Sequence, residues 1–163
     1  MAESAEVGAE FDLDAFLAKP LVARIATQGP TIRPVWFLWE EGGFWWITGT
    51  WSRLPDRLRH DPSVALVVDT CDLASGEVLE VFAKGRAEIL PYHRERAGRL
   101  LRRYLGNDEN SWDPRFFLDT IDPATRFVRL RPTWLRTRDL SYTPSDNYLR
   151  VQGLAPKAGG PQA

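Results

Sequence analysis

Between Thr31 and Gly49 two aromatic, β-branched segments, Thr31 to Glu40 and Phe44 to Gly49, flank the turn sequence Glu41-Gly42-Gly43. Side chains of this kind suit a pleated, half-buried surface, and paired glycines between two such runs make a hairpin turn. A hairpin this apolar must find further strands to pair with, so it fixes the fold class as mainly β. Pro34 has no N–H to give to a ladder, which predicts a sheet edge or a bulge for its strand. Five of the seven tryptophans (Trp36, Trp39, Trp45, Trp46 and Trp51) fall within the sixteen positions 36–51. At that density tryptophans pack cores and interfaces, and some are suited to wall a planar ligand.

Four more segments read as strands: Leu21 to Gln28, which alternates; Val64 to Thr70, a nearly continuous apolar run expected to be buried on both sides; Val78 to Leu90, with Gly85 as a bulge; and Phe127 to Trp134. Helices are predicted over 11–19, after Ser52 as N-cap, and over 92–105, where Ala97, Leu100, Leu101, Tyr104 and Leu105 form one apolar stripe. The opposite face of that last helix carries Arg94, Arg96, Arg99, Arg102 and Arg103, read as a solvated face, and Glu40 and Glu41 read as solvated turn carboxylates. A short helical turn is expected near Phe116. Most consecutive strands have no helix between them, so a doubly wound α/β fold is disfavoured. The expectation is an antiparallel six-stranded split β-barrel with flanking helices. It comprises a flexible N-terminus over 1–10, one domain over 11–140, and an extension over 141–163 that is disordered after 155.

Composition removes several function classes. The 21 basic and 22 acidic residues nearly cancel, so no global field draws nucleic acid or an anionic membrane. Cys71 is the single cysteine, and His60 and His93 are the two histidines, so metal clusters and histidine-based triads have few candidates. The acidic, small residues from Met1 to Glu10 do not resemble a secretory signal, and no apolar run is long enough to cross a bilayer. A cytoplasmic protein acting on a small molecule is the expectation. No dinucleotide fingerprint, phosphate loop or nucleophile elbow is present.

One region is dense in site chemistry. From Thr48 to Arg57 the chain offers the hydroxyls of Thr48, Thr50 and Ser52 and the guanidinium groups of Arg53 and Arg57. Hydroxyl donors beside an arginine fork at a helix start make an anion site suited to phosphate. The same residues also describe a capped surface turn.

The order Arg33-Pro34-Val35-Trp36-Phe37, then Thr48-x-x-x-Ser52-Arg53, then Leu58 to Leu66, then Gly85-Arg86-Ala87-Glu88 resembles the pyridoxamine-5′-phosphate-oxidase-like flavin-binding split-barrel family. The resemblance runs from about Leu21 to Leu135. It implies a homodimer with two cofactors at the subunit interface. Val35, Trp36 and Phe37 would lie along the flavin ring, mostly through backbone. Thr48, Thr50, Trp51, Ser52 and Arg53 would hold ribityl and phosphate, and Arg33 would approach the phosphate or ring. Glu80 and Phe82 would reach the cofactor from the partner subunit. The resemblance assigns no catalytic side chain and no metal. Two departures set the chain apart from oxidases of vitamin B6: Leu54 stands where they carry lysine, and Arg136-Thr137-Arg138-Asp139-Leu140 replaces their Arg-Leu-His-Asp-Arg type segment. FMN is the cofactor this implies for an oxidoreductase of another substrate. The alternatives are the deazaflavin F420, whose acidic tail Arg57 and Arg59 would suit, and a non-catalytic flavin binder.

Overall fold

The structure, a computed structural model, describes residues 5–6 and 9–155. Eight strands and four helices follow in order: β1 (Ala5–Glu6), α1 (Leu13–Ala18), β2 (Val22–Thr27), β3 (Thr31–Trp36), β4 (Leu38–Glu40), β5 (Gly43–Thr48), α2 (Leu54–His60), β6 (Ser63–Asp69), β7 (Leu79–Pro91), α3 (Arg94–Leu105), β8 (Arg126–Asp139) and α4 (Asp146–Val151). Strand order is β3-β2-β6-β7-β8-β5-β4, antiparallel throughout, with β1 added parallel to β8 at Trp134 and Leu135. The two ends of this order, β3 and β4, are consecutive in the chain and separated only by Phe37. The single strand expected over Thr31 to Glu40 is therefore broken. Its first half pairs with β2 and its second with β5, which carries the chain from one sheet edge to the other. That crossing is the split of the barrel, and all six expected strand regions are present. Pro34 sits on β3, an edge strand, as its missing N–H requires.

The break is stitched by a side chain. Phe37 N–H donates to the Tyr104 hydroxyl at 3.1 Å, and that hydroxyl donates to the Leu21 carbonyl at 2.6 Å. Opposite the split, the β7–β8 register shifts between Lys84 and Gly85, the bulge expected there. A Cβ at Gly85 would lie 2.8 Å from the Arg131 carbonyl oxygen, so only glycine admits this approach.

Two cores form, one on each face of β5. Phe44 and Trp46 point into the barrel with Ile25, Phe37, Leu66, Val81 and Leu130. Trp45 points outward against Leu100 and Leu101 of α3, with Leu38, Trp112 and Phe127. The aromatic cluster is thus mostly internal, and of its five tryptophans Trp51 alone is counted exposed, at 64%.

Several expectations need correction. β6 is not buried on both sides: Val64, Leu66 and Val68 are buried, while Ala65 and Val67, which alternate with them on the other face, are partly open among the described residues. The N-cap of α2 is Arg53 rather than Ser52, whose Oγ accepts instead from the Leu54 N–H at 3.1 Å. The arginines of α3 are a solvated face only in part: Arg94 and Arg99 are exposed, but all five are engaged, and Arg94 binds Asp119. Arg96 (side chain 14% exposed) and Arg99 both bind Glu40, Arg96 also binds Glu41, and Arg102 binds Glu109. Arg103 is half-buried and donates to the carbonyls of Leu17 and Lys19 at the end of α1. Glu40 is accordingly no free turn carboxylate. Its hydrogen bond from Arg99, with Arg96 beside it, holds its carboxyl below the usual range. Beyond Asp139, α4 buries Leu149, an element the polar composition did not predict. In the expected N-terminal tail, residues 5–6 form β1, and Glu10 bonds Thr137 and the Asp139 N–H. Residues 1–4, 7–8 and 156–163, including the expected disorder after 155, lie outside the described residues.

Candidate functional site

A cleft of about 900 Å³ opens where β3 leaves β5 and α3 stands across from them. Its first wall comes from β3 and the stretch after β5: Arg33, Val35 and Trp36, then Thr48, Trp51, Ser52 and Leu54. The second wall is Leu100 and Leu101 of α3 with Arg115, Phe116, Ile121 and Asp122 from the connection between α3 and β8. That connection contains two short 3-10 turns, Glu109–Ser111 and Pro114–Phe116. Among the bonds that hold it are Trp112 Nε1 to the Gly106 carbonyl at 3.0 Å, Arg102 to Glu109 at 2.8 Å, Arg94 to Asp119 at 2.6 Å, and the Thr50 hydroxyl to Asp122 Oδ2 at 3.0 Å. The last of these spans the two walls.

The polar groups in this cleft include a guanidinium without a carboxylate partner among the described residues. Arg33 Nη1 donates to Ser52 Oγ at 2.6 Å. Among the described residues, no carboxylate pairs with Arg33. Asp122, the one acid in the lining, already accepts from Thr50 and from the Ala124 N–H at 2.7 Å. Thr48 is almost wholly buried, and its hydroxyl has no hydrogen-bond partner. A buried, unpaired hydroxyl is unfavourable unless something else completes it. Arg115, Thr120 and Thr125 add polar groups to the lining, with Arg115 paired to Asp113, and most of the rest is apolar: Trp36, Ile47, Leu54, Leu100, Phe116 and Ile121.

The structure therefore gathers Arg33, Val35, Trp36, Thr48, Trp51 and Ser52 into one cleft, with Thr50 bonded across it. It sets the remaining candidates elsewhere. Phe37 is buried in the barrel core, its backbone engaged by Tyr104. Arg53 and Arg57 open onto a second, shallower cleft of about 410 Å³ with Gln28, Asp56 and His60. Arg57 there donates to the Gln28 carbonyl at 3.3 Å. Glu80 and Phe82 lie on the outer face of β7, because Leu79, Val81 and Ala83 take the inner one. Phe82 packs edge-on against Trp134 at 5.7 Å, with Lys84 over both rings.

Sequence reasoning missed the second wall. Leu100, Leu101 and Tyr104 were visible only as a packing stripe, and the 106–125 connection has no periodicity that would single out Phe116, Ile121 or Asp122. Tyr104 was the available signal, since a hydroxyl-bearing ring in a leucine stripe must find a polar partner when buried. Burial pushes its phenol above the ordinary tyrosine range.

The fold is shared with several solved structures. A conserved hypothetical protein from Mycobacterium tuberculosis superposes with a TM-score of 0.66 at 21% identity, covering 99% of this chain and 98% of its own. An FAD-binding protein from Mesorhizobium loti gives 0.57 at 19% identity, covering 78% of this chain and 93% of its own. An F420 reductase gives 0.57 at 23% identity, covering 80% and 98%. No curated protein matches the sequence. A sequence profile described as pyridoxamine 5′-phosphate oxidase matches residues 11–139, most of the chain, and the protein belongs to that family.

Proposed function

We propose that the cleft binds FMN and that the protein is an FMN-dependent oxidoreductase acting on a small molecule other than pyridoxamine phosphate. The observation that carries this reading is Arg33: a partly buried guanidinium facing a largely apolar cleft with a hydroxyl, and no carboxylate, as its partner. A phosphate would supply the missing charge through strong charge-assisted hydrogen bonds. Ser52 Oγ already takes N–H bonds from Arg33 and Leu54, so its proton is free to donate to the same anion. Arg53, next in the chain, flanks that position from the neighbouring cleft. Thr48 gains a partner for its hydroxyl, and the apolar walls enclose a planar ring and exclude water.

Bound there, FMN supplies the hydride chemistry, and the chain supplies position and electrostatics. The lining contains no histidine, lysine, cysteine or tyrosine, so its own contribution to rate is orientation between the two walls. Dimerisation completes the reading. Ile32 is 74% exposed on edge strand β3, Pro34 is exposed beside it, and Trp51 stands open at the cleft, a surface a second copy would cover. Titration of the purified protein with FMN, followed by fluorescence quenching, tests the site, with riboflavin as the control lacking phosphate. Absence of saturable FMN binding rejects the proposal. Sedimentation at micromolar concentration tests the dimer.

One observation favours a second cofactor. The cleft of Arg53 and Arg57 adjoins Ser52, and its one acid, Asp56, is paired with Arg59, so an anionic chain longer than one phosphate would find further positive charge there. The deazaflavin F420 has such a tail, and parallel titration with it decides between the two.

A further inference from the structure

Tyr104 connects the break in the barrel to the wall of the cleft. Its hydroxyl serves the break, bonding Phe37 N–H and the Leu21 carbonyl. Its ring does something separate. It lies flat on Trp36, with centroids 4.8 Å apart and planes within 4°. Trp36 in turn meets Phe116 at 5.6 Å and 35°. Trp36 and Phe116 both line the cleft, where they touch each other, whereas Tyr104 does not line it. Three rings from three elements thus run from α3, through β3, to the 106–125 connection. Tyr104 is also set on α3 at i+3 and i+4 from Leu101 and Leu100, so one helix face carries both the floor of the cleft and this ring.

We propose that Tyr104 is a positioning residue for the cleft: its ring fixes the plane of Trp36, and Trp36 through Phe116 fixes where the 106–125 wall stands. The consequence for ligand binding rests on the reading of this cleft as the flavin site; the consequence for the wall does not. Ring and hydroxyl have separable roles. The hydroxyl satisfies buried backbone groups and belongs to stability. The ring belongs to the wall, since parallel offset rings hold each other's planes.

The experiment compares Tyr104→Leu and Tyr104→Phe in the full chain by two readouts. The first is the rate of limited tryptic cleavage after Arg115, an exposed residue next to Phe116, which reports local opening of the wall without any cofactor. The second is FMN affinity. Tyr104→Leu is expected to speed the cleavage and weaken FMN, each by about two- to tenfold, the range that loss of one aromatic pair gives. Tyr104→Phe should restore both while still lowering the melting temperature. Equal cleavage rates in wild type and both variants overturn the proposal. Equal acceleration in both variants also overturns it, since the hydroxyl would then be the cause. If the cleavage pattern appears and wild type does not bind FMN, the positioning role stands and the flavin reading falls. Should Tyr104→Leu fail to fold, Phe116→Leu removes the far ring, which is half-buried against the α3-side core. It should give the same acceleration with a modest loss of melting temperature, and an unchanged rate overturns the proposal.

Discussion

On the hairpin side of α3, Arg96 reaches Glu40 and Glu41 at 3.0 Å, Arg99 reaches Glu40 at 2.7 Å, and Arg129 reaches Glu88 at 2.7 Å. Trp45 lies between the guanidinium groups, with Arg96 only 3.6 Å from its ring centre. Around the other end of β5, Arg33 faces a cleft with a serine hydroxyl as its partner, and Thr48 is buried without one. The two regions use the same residue types and differ in completeness. Where the chain supplies the opposite charge, arginine acts as a fastener between elements far apart in sequence. Where it does not, among the described residues, the charge has only a hydroxyl beside it, which is the basis of the proposed phosphate site. Net neutrality of the chain conceals this, because it averages a paired seam with an unpaired cleft.

The comparison breaks most directly at Arg33. Arg33→Ala should weaken FMN by about 10- to 150-fold, the loss of roughly 1.5–3 kcal/mol from a charge-assisted contact. Riboflavin should bind both forms nearly equally, and lysine at 33 should recover only part, as a point charge lacks the fork. Equal losses for FMN and riboflavin would mean that Arg33 shapes the ring pocket and does not bind phosphate. Thr48→Val comes next. It removes the unpaired hydroxyl at nearly constant volume, so the ligand-free melting temperature should hold or rise while FMN affinity falls about three- to tenfold. A lower melting temperature with unchanged affinity would place an unseen partner on that hydroxyl.

The seam should respond in stability and not in affinity. Glu40 has its carboxyl pKa depressed in the folded state, first by the Arg99 hydrogen bond, so its contribution is present above the unfolded value near 4.5 and is lost as pH falls through the folded one. Wild type should therefore lose melting temperature on acidification below about pH 4.5 more steeply than Glu40→Gln. At pH 7 the variant should melt a few degrees lower, because Arg96 and Arg99 lose their shared counter-ion. FMN affinity should change less than twofold. Parallel acid slopes for the two proteins would show that the seam is only a surface ion pair of little consequence.

What the sequence disclosed follows the same division. Strands announce themselves locally, through alternation and turn glycines, and so did the first wall of the cleft, where Arg33, Thr48 and Ser52 lie close to readable strand ends. The break at Phe37 was not legible. Both halves of Thr31 to Glu40 carry a tryptophan, and the interruption shows only in what each half pairs with, β2 or β5, and in the Tyr104 hydroxyl, 67 residues away, that bonds Phe37. The arginines of α3 read as solvated because their partners Glu40 and Glu41 lie 55 to 59 residues upstream, beyond any helical period. Phe116 and Asp122 sit in a connection with no period at all.

The smallest effect is expected at Arg57, and it sharpens the choice between cofactors. Arg57 opens onto the second cleft and already gives an N–H to the Gln28 carbonyl, so it does not compete for a phosphate held at Arg33 and Ser52. Arg57→Ala should change FMN affinity less than twofold, with Arg53→Ala intermediate at about three- to tenfold, since Arg53 adjoins Ser52. An anionic tail running past Ser52 into that cleft would change the ranking. Its binding would then fall about tenfold in Arg57→Ala and become strongly salt-dependent, because the charges there are solvent-exposed and screened within about 10 Å at 0.1 M salt. Titrating wild type and Arg57→Ala with FMN and with F420, at low and high salt, separates the cases. Loss confined to F420 assigns the second cleft to a tail. Loss for FMN itself would move the phosphate away from Arg33 and undo the contrast between the paired seam and the unpaired cleft.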